Sequence, residues 1–130
     1  MSYIIADFIV GIKNAVKANR RELILPFSNL NKEVGKVLVK EGFLEEVKEE
    51  SKDNKKQIKA KIKYDKRTPR LTDILLVSKP SLRNYIGASK IYDLEKKGRR
   101  TIIISTSQGV MTGKEAIKKN LGGEVLFAIW

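Results

Sequence analysis

Ser105-Thr106-Ser107-Gln108-Gly109 packs three hydroxyls and one amide into five residues. Hydroxyls and amides donate and accept hydrogen bonds without carrying charge at neutral pH. That chemistry suits the reading of phosphates, sugar hydroxyls and base edges better than it suits proton transfer. Such residues also populate ordinary turns, where they bond to neighbouring backbone groups. Catalysis finds little support. The chain has neither histidine nor cysteine, so the usual neutral-pH acid–base group, the thiolate nucleophile and the commonest metal ligands are all missing. Ser107, the strongest candidate nucleophile, has no histidine to activate it and no Gly-x-Ser-x-Gly elbow around it. Lys114 fits the exposed face of a helix better than the role of a base. Glu45, Glu46, Glu49 and Glu50 offer paired carboxylates, but nothing nearby would raise the pKa of one of them. No cofactor and no metal site are expected.

Two elements must hold the hydroxyl cluster. The β-branched run Ile102-Ile103-Ile104 before it reads as a buried strand. After Val110-Met111, Thr112-Gly113-Lys114-Glu115 has the Thr-x-x-Glu spacing of a capping box and predicts a helix start. A loop fixed at both ends is rigid, and Gly109 lets its backbone turn or approach a partner closely.

Charge then narrows the class of partner. The 130 residues carry 27 Lys+Arg against 15 Asp+Glu, a net charge of +12, with enough hydrophobic content (42%) for a core. Residues 1–65 hold 14 basic and 10 acidic side chains, and residues 66–130 hold 13 and 5, so the half with the hydroxyl cluster is the more positive. A folded, strongly basic domain points to nucleic acid ahead of anionic membranes or acidic proteins. No apolar run approaches the roughly 20 residues needed to span a bilayer. Met1 leads almost directly into an amphipathic helix rather than a signal pattern. The expectation is a soluble, cytoplasmic protein with no membrane partner.

Along the chain, Ile4, Ile5, Phe8, Ile9, Ile12 and Val16 recur at helical spacing, with Lys13, Lys17 and Arg20 on another face. Leu23-Ile24-Leu25-Pro26 reads as a short strand. A second helix, capped by Ser28, Asn29 or Asn31, buries Leu30, Val34, Val37 and Leu38, presents Lys32, Lys36 and Lys40 outward, and stops at Gly42. From Phe43 to Tyr64 the pattern is an antiparallel hairpin, acids on the first strand and Lys59, Lys61 and Lys63 on the second, turning at Ser51-Lys52-Asp53-Asn54. The polar segment 65–70 marks the lobe boundary. Beyond it come a strand at Ile74–Val77, a basic turn at Lys79–Arg83, a strand at Asn84–Ile86, a short helix capped by Ser89, the strand at Ile102, a helix ending near Gly122-Gly123, and a strand from Glu124 to Trp130. The predicted class is α/β (α+β), with an N-terminal lobe of residues 1–65 and a C-terminal lobe of residues 66–130. Each lobe is a few-stranded mixed or antiparallel sheet packed with helices.

The run Ser105–Thr112, with Lys114-Glu115-Ala116 and Gly122-Gly123-Glu124, resembles the small-subunit ribosomal protein family numbered eight in its bacterial form. The likeness extends over the whole chain. Ile5-Ala6-Asp7 and Ile12-Lys13-Asn14-Ala15 are similar to the family's first helix, Lys40-Glu41-Gly42-Phe43 to its second-helix exit, and Ser78-Lys79-Pro80 with Leu82-Arg83-Asn84-Tyr85 to its basic turn. Ser81 and Gly113 stand where the family typically has Gly and Asp, Ile117 replaces a common Arg, and Gly11 replaces a usual basic residue.

The resemblance implies a structural constituent of the small ribosomal subunit, a primary binder of the central domain of small-subunit ribosomal RNA that supports assembly. The C-terminal lobe would recognise the RNA. Ser105, Thr106, Ser107, Gln108, Gly109 and Glu124 would form the specific surface, supported by Lys79, Arg83 and Tyr85, with Lys13 and Asn14 as a second contact in the N-terminal lobe. It also implies neighbouring small-subunit ribosomal proteins as partners, and its own messenger where that mimics the ribosomal site. The competing class is a free-standing RNA-binding translational regulator, which sedimentation away from small subunits would reveal.

Overall fold

The computed structural model describes residues 4–77, 85–87, 90–91 and 100–130. It divides into two compact units, Met1–Thr72 and Asp73–Trp130. The small strand pair at Tyr64–Pro69 therefore belongs to the first unit, and the division falls a few residues later than the boundary expected from sequence.

In the first unit, helix α1 (Ile4–Lys17) buries Ile5, Phe8, Ile9, Ile12 and Ala15. It ends in a left-handed residue, Asn19 (φ 55), with Arg20 N–H bonded to the Ala15 carbonyl at 2.8 Å. Gly11 faces strand β1 (Glu22–Pro26), where a Cβ would lie 3.1 Å from Leu25 Cδ2. The absence of a side chain at Gly11 thus lets helix and strand pack closely. Helix α2 (Asn29–Lys40) starts at Ser28, whose Oγ accepts the Asn31 N–H at 2.9 Å. It stops at Gly42 (φ 85), with Gly42 N–H on the Val39 carbonyl and Phe43 N–H on that of Leu38.

Strands β2 (Leu44–Lys52) and β3 (Lys55–Ile62) form the expected hairpin around Asp53 and Asn54, both left-handed (φ 53 and 62), as a tight primed turn requires. The sheet order is β1-β3-β2, all antiparallel. Ile58, Ala60 and Ile62 point to the core while Gln57, Lys59 and Lys61 alternate outward. Strands β4 (Tyr64–Asp65) and β5 (Thr68–Pro69) close the unit as a small ladder.

The expected cross-strand charge pairing is present. Lys61 Nζ lies 3.5 Å from Glu46 Oε2, Lys56 Nζ 3.6 Å from Glu49 Oε1, and Lys32 of α2 reaches Glu49 Oε2 at 3.2 Å. The hydrogen bond from Lys48 holds the Glu46 carboxyl below its ordinary pKa, and that from Lys32 does the same for Glu49. A depressed carboxylate stabilises the fold above its unfolded pKa, and that contribution is lost as pH falls through the folded value. Replacing both by Gln should therefore lower the melting temperature at neutral pH, and the difference from wild type should shrink below about pH 4.5. A difference that stays constant down to pH 3 would show that these pairs do not contribute. The pairs are exposed, so the effect should be modest and salt-sensitive.

In the second unit, strand β10 (Gly123–Ile129) is central. It pairs with β6 (Ile74–Leu76) and β7 (Tyr85–Ile86) along one edge and with β8 (Thr101–Thr106) along the other, and β8 pairs in turn with β9 (Gly109–Thr112). A register shift between Val125 and Phe127 leaves Leu126 as an extra residue opposite β8. Helix α3 (Gly113–Lys118) begins at Thr112, whose Oγ1 accepts the Glu115 N–H at 3.2 Å. Ile102, Ile104, Met111, Val125 and Ala116 form one buried cluster with Ile91, and Ile117 packs against it. The predicted helix end at Gly122-Gly123 lies too late. The helix stops at Lys118, and Asn120 (φ 54) supplies the left-handed residue. The basic turn at Lys79–Arg83 and the Ser89 cap lie outside the described residues.

Candidate nucleic-acid interface

The hydroxyl cluster is not a loop between a strand and a helix but the end of the β8–β9 hairpin. Thr106 pairs with Gly109, so only Ser107 and Gln108 lie outside the strands. Gly109 (φ 112) takes a conformation that costs glycine little. The Thr106 hydroxyl donates to the Gly109 carbonyl at 2.8 Å and accepts the Gln108 N–H at 3.1 Å. Its single donor is spent inside the turn, so Thr106 acts as the clamp of the hairpin. Ser107 and Gln108 are exposed at the tip, and among the described residues nothing takes up the Ser107 hydroxyl.

Ser105 belongs to a second feature, which only the sheet assembles. On β10, Glu124 lies opposite Tyr85 of β7 on one side and Ser105 of β8 on the other, and Ser105 in turn lies opposite Val110 of β9. Directly opposed residues share a face, so Tyr85, Glu124, Ser105 and Val110 form one row. At about 4.8 Å per strand, the row is roughly 14 Å long. The next residues along these strands, Val125, Ile104 and Met111, face the opposite way into the cluster under α3. Tyr85 is 70% exposed, so it is a surface residue rather than a packing one.

The row depends on two glycines that sequence reasoning did not connect to it. A Cβ on Gly123 would collide with the Ser105 carbonyl oxygen, and one on Gly122 would sit 2.6 Å from the Ile86 carbonyl oxygen. Two adjacent residues without side chains let the start of β10 slip between β7 and β8. The adjacent pair of glycines is the available signal, but in sequence it fits a helix stop equally well.

The remaining candidates lie elsewhere. Lys13 (half-buried) and Asn14 (exposed) are on α1 in the first unit, and Asn14 lines a groove of ≈ 390 Å³ with Gly11, Arg20 and Ile24. Lys79 and Arg83 lie outside the described residues. Of the basic stripe on α2, Lys32 turns to Glu49, whereas Lys36 is exposed. Among the described residues no cluster of side chains could hold a metal, and no helix is long and apolar enough to cross a membrane.

The model of the family described as Ribosomal protein S8 matches residues 3–130. The chain belongs to the ribosomal protein S8 family. The small ribosomal subunit protein uS8 of Flavobacterium johnsoniae is 42% identical over 128 residues, covering 97% of this chain and 96% of the relative. That of Persephonella marina is 39% identical over 132 residues, and that of Enterococcus faecalis 38% over 127, each again covering 97% of this chain and 96% of the relative. Membership makes the chain a small-subunit ribosomal protein, from a family of ribosomal constituents rather than enzymes. As an S8 family member it carries the expected α+β architecture, with antiparallel sheets in both units.

Proposed function

We propose that this S8 family member is a primary RNA-binding protein of the small subunit, that it holds the central domain of small-subunit ribosomal RNA during assembly, and that its C-terminal unit does the recognising. The observation that carries the reading is the juxtaposition of an outward Ser107 hydroxyl, on a clamped two-residue turn, with the Tyr85–Glu124–Ser105 row. A-form RNA hides its major groove from side chains, so specific contacts go to 2′-hydroxyls, bulges and splayed bases. Short hydroxyls on a stiff turn fit such sites without ordering long side chains. A carboxylate repels phosphate, so Glu124 suits a donor, such as a base amino group or a 2′-hydroxyl. An exposed tyrosine ring offers a face for stacking. Lys79 and Arg83 add positive charge, Lys13 and Asn14 provide a contact from the first unit, and the +12 net charge supplies long-range attraction that positions without specifying sequence.

Crosslinking the tagged protein in growing cells and sequencing the attached RNA tests this directly. Reads concentrated in the central domain are expected, along with co-sedimentation with small subunits. Reads confined to a messenger, with the protein sedimenting slowly, would instead mark a free regulator. Binding should also be salt-dependent. If about five phosphates are neutralised, log K should fall against log salt with a slope of roughly −4. A filter-binding titration with a slope near zero would remove the electrostatic part of the reading.

A further inference from the structure

A corner of the first unit carries several cations on a backbone that the fold holds in place. The Tyr64 hydroxyl donates to the Arg20 carbonyl at 2.9 Å, and the Arg21 guanidinium lies 5.5 Å from the centre of the Tyr64 ring. The Arg20 N–H is bonded back to α1 at Ala15, and the Arg21 carbonyl accepts the Ile62 N–H at 2.9 Å. The backbone carrying both arginines is therefore held by a helix end, a sheet edge and a tyrosine. From Tyr64 the chain runs directly into the β4–β5 ladder, whose turn residues Lys66 and Arg67 are exposed. Lys66 sits at φ 62, a conformation that favours glycine over a long side chain.

Among the described residues, no carboxylate lies within 4 Å of the charged atoms of Arg20, Lys66 or Arg67. Nearby on the same unit the pattern is the reverse, with Lys59 and Lys61 matched to Glu22 and Glu46 at 3.3–3.9 Å. Unmatched like charges on a rigid frame repel one another, and a lysine in a left-handed turn adds strain. Neither helps the unit fold. Both make sense if a polyanion supplies the missing negative charge, because a backbone held in advance leaves only side-chain freedom to be lost on binding. Guanidinium groups add the forked donor geometry that matches phosphate oxygens.

We propose that Arg20, Arg21, Lys66 and Arg67 form a second phosphate-contact site, which holds the sugar–phosphate backbone of an RNA strand independently of its sequence. The site rests on the RNA-binding reading above and extends it from the groove that Asn14 shares with Arg20 to Arg21 and the β4–β5 turn. The test uses the full chain carrying Arg20→Gln, Lys66→Gln and Arg67→Gln, which leaves the Arg21–Tyr64 contact in place. A control carries Lys36→Gln, Lys52→Gln and Lys55→Gln, with the same loss of net charge. Binding to a central-domain fragment of small-subunit ribosomal RNA and to an unrelated RNA hairpin is titrated against salt.

The corner variant should weaken both RNAs by similar factors and make the salt slope shallower by roughly 2–3, about one unit or slightly less per lost phosphate contact. Its melting temperature should stay at or above that of wild type. The control should change the slope much less. An unchanged slope, or equal changes in both triple variants, overturns the proposal. So does a corner variant that keeps its RNA slope but loses binding to poly-glutamate, which would assign the corner to an acidic protein. If wild type itself binds neither RNA, it is the RNA-binding reading that fails, and the two failures are distinct.

Discussion

Replacing Gly123 with Ala should cause the largest loss of any single-methyl change in the second unit. The added Cβ would meet the Ser105 carbonyl oxygen, a backbone atom that cannot rotate away. Relief requires β10 to move from β8 or β8 to distort, and either shift breaks the row that sets Glu124 opposite Ser105. Overpacking of this kind costs about 1–3 kcal/mol. At 4–8 °C per kcal/mol for a small domain, the melting temperature should fall by roughly 5–20 °C. Cognate RNA affinity should fall as well, even at temperatures where the protein is still folded. Gly87→Ala is the natural comparison, because a Cβ there meets nothing within 4 Å, and it should leave stability nearly unchanged. If Gly123→Ala melts like wild type, the close approach of β10 to β8 is not as described.

Ser107→Ala should separate recognition from folding. The change removes one exposed hydroxyl at the hairpin tip and leaves the Thr106 clamp intact. If that hydroxyl meets a desolvated RNA group, its loss leaves the partner unpaired at a cost of about 1–3 kcal/mol. That corresponds to roughly 5- to 150-fold weaker cognate binding with little change for an unrelated RNA. The melting temperature should not move. Thr106→Val should do the opposite in order of cause, removing both bonds that close the turn and lowering stability first, with affinity following. Measuring melting and both RNA affinities on each variant decides the matter. An unchanged cognate-to-noncognate ratio in Ser107→Ala would take Ser107 off the recognition surface.

Much of the fold could be read from short stretches of sequence. Ser28 and Thr112 announce helix starts because a cap bonds to an N–H three residues away, a contact that lies within the local sequence. Gly42 announces a helix stop for the same reason. The alternation of Ile58, Ala60 and Ile62 with lysines fixes which face of β3 is buried. The left-handed stops at Asn19 and Asn120 do not stand out in the sequence, because asparagine tolerates that conformation without advertising it as glycine does.

The sequence by itself determined most of the described helices and strands, the excess of positive charge and the family. All of these follow from residue type, period and motif. Tertiary structure decided which of the hydroxyl cluster's groups face outward. Thr106 and Ser107 are neighbours of similar chemistry, yet the pairing of Thr106 with Gly109 turns one hydroxyl inward and leaves the other at the tip. It also decided that Tyr85, Glu124 and Ser105 stand side by side. They come from three strands far apart in the chain, and their register is set by backbone pairing and by the absence of a side chain at Gly123. No local pattern encodes such a row, because each of its contacts exists only once the sheet has closed.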